Sequence, residues 1–181
     1  GAFMSMIGNS LLNEIVLTKK ITSPSAILSS LNRSIFKVLK QNTSESRDGM
    51  DMALCMIDPK ANTLTYSGAN RELLLIRNGE LIEYKPTKSA IGGFTDSDTV
   101  FKETVIDIHL NDLFYMTTDG YADQFGGDEG KKFMSKNLKS LLVSNAHLPM
   151  KTQQEILNET FVNWIKNTEQ IDDVTIIGIR I

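Results

Sequence analysis

Two stretches far apart in this 181-residue chain constrain its fold more than any others. Leu113 to Gly120 reads LFYMTTDG, an apolar strand that ends on one carboxylate, Asp119, and a glycine turn. Val174 to Ile181 reads VTIIGIRI and follows Asp172 and Asp173, so a second apolar strand has its acidic residues gathered at its start. That run is apolar at both parities, Val174 and Ile176 against Ile177, Ile179 and Ile181, which predicts a strand buried on both faces and central in a sheet. Arg180 is expected to reach water from the far end. Carboxylates at strand ends are costly to desolvate unless something positive meets them. No Arg or Lys lies within several residues before Asp119 or after Asp173, and a divalent cation is the simplest answer.

Composition narrows the function classes. At 41% hydrophobic and 23% charged, the chain can form a globular domain with a sizeable core, and residues 1–181 are expected to be one domain. A net charge of -3 with no Lys/Arg cluster gives no electrostatic footprint for nucleic acid or anionic membrane. The single cysteine, Cys55, has apolar neighbours and reads as a buried, inert thiol, which fits the cytoplasm. No apolar run approaches the ~18 residues needed to cross a bilayer. The first ten residues, GAFMSMIGNS, lack a start methionine and read as the inside of a helix, which predicts that an earlier part of the protein precedes them.

Taken in order, Phe3, Ile7, Leu11 and Ile15 recur every four residues and predict an amphipathic helix over 2–17. Ser23 and Pro24 supply an N-cap and a first-turn proline for a second helix, whose stripe Ile27, Leu28, Leu31, Ile35 and Leu39 fades in the polar stretch 41–46. Strands are expected over 52–57 and 63–66 around a turn at 58–62. Asn78-Gly79 between 72–77 and 80–84 is the two-residue signal for a type I′ hairpin. Strands over 101–110 and 113–117 are expected to pair across Asn111-Asp112. Helical character returns at 133–142. It returns again before Ile156, Leu157, Phe161, Trp164 and Ile165, where Thr152 with Glu155 forms a capping box or Pro149 starts the helix. The expected class is α+β, a layered α-β-β-α sandwich of antiparallel sheets flanked by helices.

Much chemistry is excluded by what the sequence lacks. His109 and His147 have no metal-ligand spacing and no neighbouring nucleophile, which disfavours a Ser-His-Asp arrangement. There is no GxGxxG, no GxxxxGK[ST] and no cysteine-rich zinc pattern. Aspartates remain, and all-oxygen ligation suits Mg²⁺ or Mn²⁺, which retain waters in their other positions. Two such ions ~3.5–4 Å apart would activate a bridging water and clamp a phosphoryl group. Asp119 before Gly120 leaves no side chain to block substrate, while Asp172 and Asp173 leave a strand start in different directions. Either motif alone is weak, since TDG is also an ordinary turn and DD a solvated strand end.

Six stretches together carry a family resemblance: GAFMSMIGNSLLNEIV at 1–16, RDGMDMALCMID at 47–58, LTYSGANRELLLIRNGELIEY at 64–84, SAIGGF at 89–94, TTDGYADQFGG at 117–127 and DDVTIIGIRI at 172–181. The chain resembles the C-terminal part of a bacterial phosphatase domain of the metal-dependent PPM (type 2C) family, in its SpoIIE/RsbU-like branch. The resemblance implies a β-sandwich flanked by helices, two Mn²⁺ or Mg²⁺ ions, and hydrolysis of phosphoserine or phosphothreonine on a partner protein. In this branch that partner is often an antagonist of an anti-sigma factor, and a sensory module, sometimes membrane-anchored, commonly precedes the phosphatase. Carried over by motif, Asp119 and Asp172 are metal ligands that make the catalytic site, Asp173 supports it as a third acidic residue, and Gly120 keeps the approach open.

The chain also departs from that pattern. The family has a Gly-rich metal loop with a further Asp just before the helix that begins here as GAFMS, so this form is expected to lack its N-terminal metal loop and to be weak or inactive. Ala69 stands in SGAN where the branch often has His. An uncovered sheet edge is consistent with a homodimer or strand exchange. The helical pair 2–41 would act as a regulatory switch in the intact protein. Two other readings stay open, a non-catalytic signalling or dimerisation module of the same fold and a metal-dependent hydrolase of small phosphoesters.

Overall fold

The computed structural model describes residues 2–41, 48–166 and 168–181. The fading of the second helix at 42–46 and the Arg47 that opens one family motif lie outside these residues. The chain divides into two compact units, residues 1–73 with 84–108 and residues 74–83 with 109–181.

In the first unit the stripe of the second helix behaves as its spacing predicts, whereas in the first helix Phe3 is 65% exposed and Met4 beside it is buried instead. Helix α1 (Ala2–Asn13) runs into a widened π turn (Glu14–Thr18), and α2 spans Pro24–Val38. The Ser23 side chain accepts the Ala26 N–H at 3.3 Å and Pro24 occupies the first turn, so the cap and the proline stand where the sequence puts them. Strands β1 (Gly49–Met50), β2 (Met52–Asp58) and β3 (Thr63–Ala69) follow. Ile27, Leu28, Leu31 and Ile35 of α2 pack with Ile15, Ala69, Ile91 and Phe101 into one apolar core. Burying such side chains contributes roughly 1.5–3 kcal/mol each, which makes α2 the main cover of the sheet.

Next come β4 (Leu73–Arg77), β5 (Glu80–Tyr84), β6 (Ile91–Gly92) and β7 (Glu103–Asp107). Asn78 and Gly79 between β4 and β5 have φ of 52° and 81°, both positive as a type I′ turn requires. The second unit continues with β8 (Leu113–Thr117), α3 (Gly120–Asp123), β9 (Phe125–Gly126), β10 (Lys131–Lys132), α4 (Ser135–Ser144), α5 (Met150–Ile165) and β11 (Ile176–Arg180). Pro149 occupies the cap position of α5 with no side-chain cap bond, so the proline and not a Thr152 box opens the helix.

The sheets are antiparallel, in the order β2-β3-β7 and β11-β8-β4-β5, with two-stranded ladders β1-β6 and β9-β10. The class is therefore α+β, as expected. Three expectations fail in detail. Strands β7 and β8 do not pair: β7 joins β3, whereas β8 lies between β11 and β4. The link between them does not close a hairpin, because Asn111 turns at φ 69° and the Asp112 carboxylate is turned inward. Asp112 accepts the His109 N–H at 2.8 Å and a two-pronged contact from Arg77 at 2.9 and 2.6 Å.

Strand β11, expected to be central, is the edge of its sheet among the described residues, and Ile177 is 47% exposed. An unbroken apolar run does not distinguish a central strand from an apolar edge. Arg180 is also not simply hydrated, since its guanidinium donates to the carbonyls of Ala146 and Leu148 at 2.8 and 2.6 Å. One face of this sheet, with Leu74, Ile76, Leu113 and Tyr115, packs with Tyr121, Phe133, Leu138, Leu142 and Phe161. No helix among the described residues is long and apolar enough to cross a membrane.

Candidate metal centre

The register of β8 and β11 decides where the acidic residues go. Ile176 pairs with Thr117 in an antiparallel ladder, so the end of β8 and the start of β11 share one rim of the second unit. Beyond the ladder, the Thr118 N–H donates to the Thr175 carbonyl at 3.0 Å and the Thr118 hydroxyl accepts the Thr175 N–H at 3.0 Å. The same hydroxyl donates to the Asp173 carbonyl at 3.2 Å. Asp119 is next in the chain, half-buried, and its carbonyl accepts the Asp123 N–H at 2.9 Å as α3 begins. Residues 119 and 172–173 are thus brought together from positions more than fifty residues apart.

Gly120 shows how close the approach is. A Cβ placed there would lie 2.4 Å from the Asp173 carbonyl oxygen and 3.3 Å from a Val174 methyl carbon. The glycine therefore allows two backbones to meet at the rim. Asp172 and Asp173 are exposed. One Asp172 carboxylate oxygen accepts the Asp173 N–H at 2.8 Å, and the Gln170 amide donates to the Asp172 carbonyl at 2.8 Å, so this short segment is turned back on itself. A cleft of about 740 Å³ has Gln170 and Val174 in its lining, together with Tyr121 and Leu157.

The donor chemistry fits a hard cation, since every candidate ligand is a carboxylate oxygen. The described residues contain no group of three or more His, Cys, Asp or Glu placed to hold a metal. A site on this rim would therefore draw one or two carboxylates from the chain and water for the rest, which is the ordinary regime of Mg²⁺.

Two neighbours of Asp119 were not among the sequence candidates. Thr118 makes the contact to Asp173, and Gln124, completely buried, joins the loop after α3 to residues 169 and 171. Neither has a local signal. Their partners lie 45 to 57 residues away, and a threonine before Asp-Gly or a glutamine before Phe-Gly-Gly reads as surface. Cys55, expected to be buried, is only half-buried. Burial pushes the Cys55 thiol up to about 12, which leaves it protonated and unreactive, and both histidines are exposed. Trp164 stacks edge-on with Phe133 and donates to the Gln124 carbonyl at 3.0 Å.

With this geometry in place, comparison with known proteins is informative. The chain matches the model of the family described as Stage II sporulation protein E (SpoIIE) over residues 1–181. Among solved structures, the SiaA-PP2C domain of Pseudomonas aeruginosa superposes with a TM-score of 0.89 at 27% identity, over 100% of this chain and 70% of that one. The phosphatase domain of the cell fate determinant SpoIIE from Bacillus subtilis, presoaked with Mn, gives 0.56 at 17% identity, over 95% and 70%. The Mycobacterium tuberculosis serine/threonine phosphatase PstP/Ppp gives 0.62 at 13%, over 96% and 80%. The last two likenesses are of fold alone. No curated protein sequence matches. The chain has the fold of PP2C-type phosphatases and belongs to the Stage II sporulation protein E (SpoIIE) family.

Proposed function

We propose that this chain is a metal-dependent serine/threonine protein phosphatase domain that removes phosphate from phosphoserine or phosphothreonine on a signalling protein. The observation that carries the reading is the Thr118 bridge, which holds the Asp119 turn and the Asp172-Asp173 segment to one rim. In this reading Asp119 and Asp172 ligate Mn²⁺ or Mg²⁺, Asp173 supports them, and residues 1–181 belong to one phosphatase domain that is weak or inactive in this form. When bound, such an ion stabilises charge on a phosphoryl group and lowers the pKa of a water. The chain's own work is positional. The Asp173 N–H orients the Asp172 carboxylate, and Gly120 lets the two segments approach within contact.

The substrate is a phosphorylated regulatory protein of the kind that antagonises an anti-sigma factor, acted on in the cytoplasm under the control of a sensory module. The family match supports this assignment, as does the absence of a basic cluster for nucleic acid in a chain of net charge -3. The apolar edge β11 makes a homodimer part of the same proposal. One observation favours a second reading, a non-catalytic module of the same fold: no three potential ligands converge among the described residues.

Phosphate release by the full-length protein from a phosphoprotein and from an aryl phosphate, with and without Mn²⁺, separates the readings. Mn²⁺-dependent release that falls at least 100-fold in both Asp119→Asn and Asp172→Asn is expected. Turnover surviving both substitutions would sink the metal mechanism, and an Mn²⁺ titration without heat or turnover would leave the non-catalytic module.

A further inference from the structure

We propose that Gln124 is a positioning residue which, with Thr118, fixes the Asp172 segment against Asp119. This rests on the metal rim proposed above and adds to it a residue outside the ligand set. Between α5 and β11, residues 168–175 form neither helix nor strand, so their backbone polar groups have no ladder to join. The Gln124 side chain supplies partners at the critical place. Its Nε2 donates to the Glu169 carbonyl at 2.9 Å and to the Phe125 carbonyl at 3.0 Å, and its Oε1 accepts the Ile171 N–H at 3.2 Å.

Gln124 is itself immobilised. It is 0% exposed, and its main-chain carbonyl accepts from the Trp164 indole at 3.0 Å and from the Phe133 N–H at 2.9 Å. The segment bearing Asp172 is thus tethered at residue 171 by Gln124 and at residue 173 by Thr118. Both tethers leave the same turn, one residue before Asp119 and five after it. The approach of the two carboxylate-bearing backbones is held by these two side chains; partners bonded directly to a ligand typically govern metal affinity by about 10–100-fold, and the Gln124 tether acts on the backbone one residue before Asp172.

A buried amide could equally serve stability alone, and Gln153 provides the control. It is also buried, in the same unit, where it accepts from the Tyr115 hydroxyl and donates to the Leu148 carbonyl at 2.9 Å. Gln124→Met and Gln153→Met each remove one buried amide at nearly constant volume. Mn²⁺ affinity by titration calorimetry and the exchange rate of the Ile171 amide by NMR are the readouts, with Gln124→Asn as a milder variant should the methionine fail to fold. Expected are at least 10-fold weaker Mn²⁺ binding and faster Ile171 exchange in the Gln124 variants. In Gln153→Met, unchanged Mn²⁺ affinity is expected at similar loss of thermal stability.

Equal weakening by both methionines would reduce Gln124 to a structural residue. Wild-type affinity in a folded Gln124 variant, or a rapidly exchanging Ile171 amide in the wild type, would overturn the proposal while leaving the metal site standing. Failure of the wild type itself to bind Mn²⁺ would instead remove the metal rim, and the role of Gln124 with it.

Discussion

At the scale of single residues, the second unit combines exposed and buried carboxylates with opposite tasks. Asp172 and Asp173 face solvent, whereas the Asp112 side chain is 1% exposed and gripped by Arg77. Burial pushes the Asp112 carboxyl up, but the Arg77 hydrogen bonds and the His109 N–H outweigh it and hold the group below the usual carboxylate range. A folded-state pKa below the unfolded value of about 3.9 means the stabilisation is fully present above that value and is lost as pH falls through the folded pKa. Urea denaturation should therefore show wild-type stability dropping between pH 5 and pH 2, with a smaller drop in Asp112→Asn. The same variant should be about 2–3 kcal/mol less stable at pH 7, somewhat under the ~3–5 kcal/mol of a fully buried pair, because the Arg77 side chain is 22% exposed. Parallel pH profiles for the two proteins would show that this pair does not govern the acid limb.

At the scale of elements, what could be read in the sequence was whatever has a local physical cause. Helix α2 is the clearest case: Ser23, Pro24 and a four-residue apolar rhythm specify its start and its buried face without reference to the rest of the chain. The Asn78-Gly79 hairpin is equally local, since φ alone demands those residues. Strand partners were less legible. Nothing within 101–117 tells β7 to leave for β3, because the partners it takes there, Thr63 to Ser67, lie 36 to 44 positions earlier. The rim was half legible, its acidic residues visible as types and its tethers, Thr118 and Gln124, invisible. The N-terminus of α2 can be tested alone. Ser23 caps Ala26 and donates to Glu103 of β7 at 2.7 Å. Ser23→Ala should cost about 1–2 kcal/mol in urea denaturation and Ser23→Thr much less. An alanine variant as stable as the wild type would show the cap to be idle.

At the scale of the whole molecule, the question is what an apolar edge does in a chain that carries little net charge. Natural edge strands are usually blunted by charge, proline, a bulge or a covering element. Strand β11 reads IIGIR and has no proline. Its one charge, Arg180, is occupied by the carbonyls of Ala146 and Leu148, and Ile177 is 47% exposed. A net charge of -3 on 181 residues supplies little repulsion between copies. The 181-residue chain should therefore self-associate as its concentration rises, through antiparallel addition at this edge. Sedimentation velocity across the micromolar range is expected to show a dimer that Ile177→Lys shifts back to monomer by at least 10-fold in dissociation constant. Because Ile177 is 47% exposed, a lysine there can carry its ammonium to water along an apolar stem, and thermal stability should fall little. A wild-type monomer throughout that range, or a dimer indifferent to the lysine, would place any association surface elsewhere on the chain.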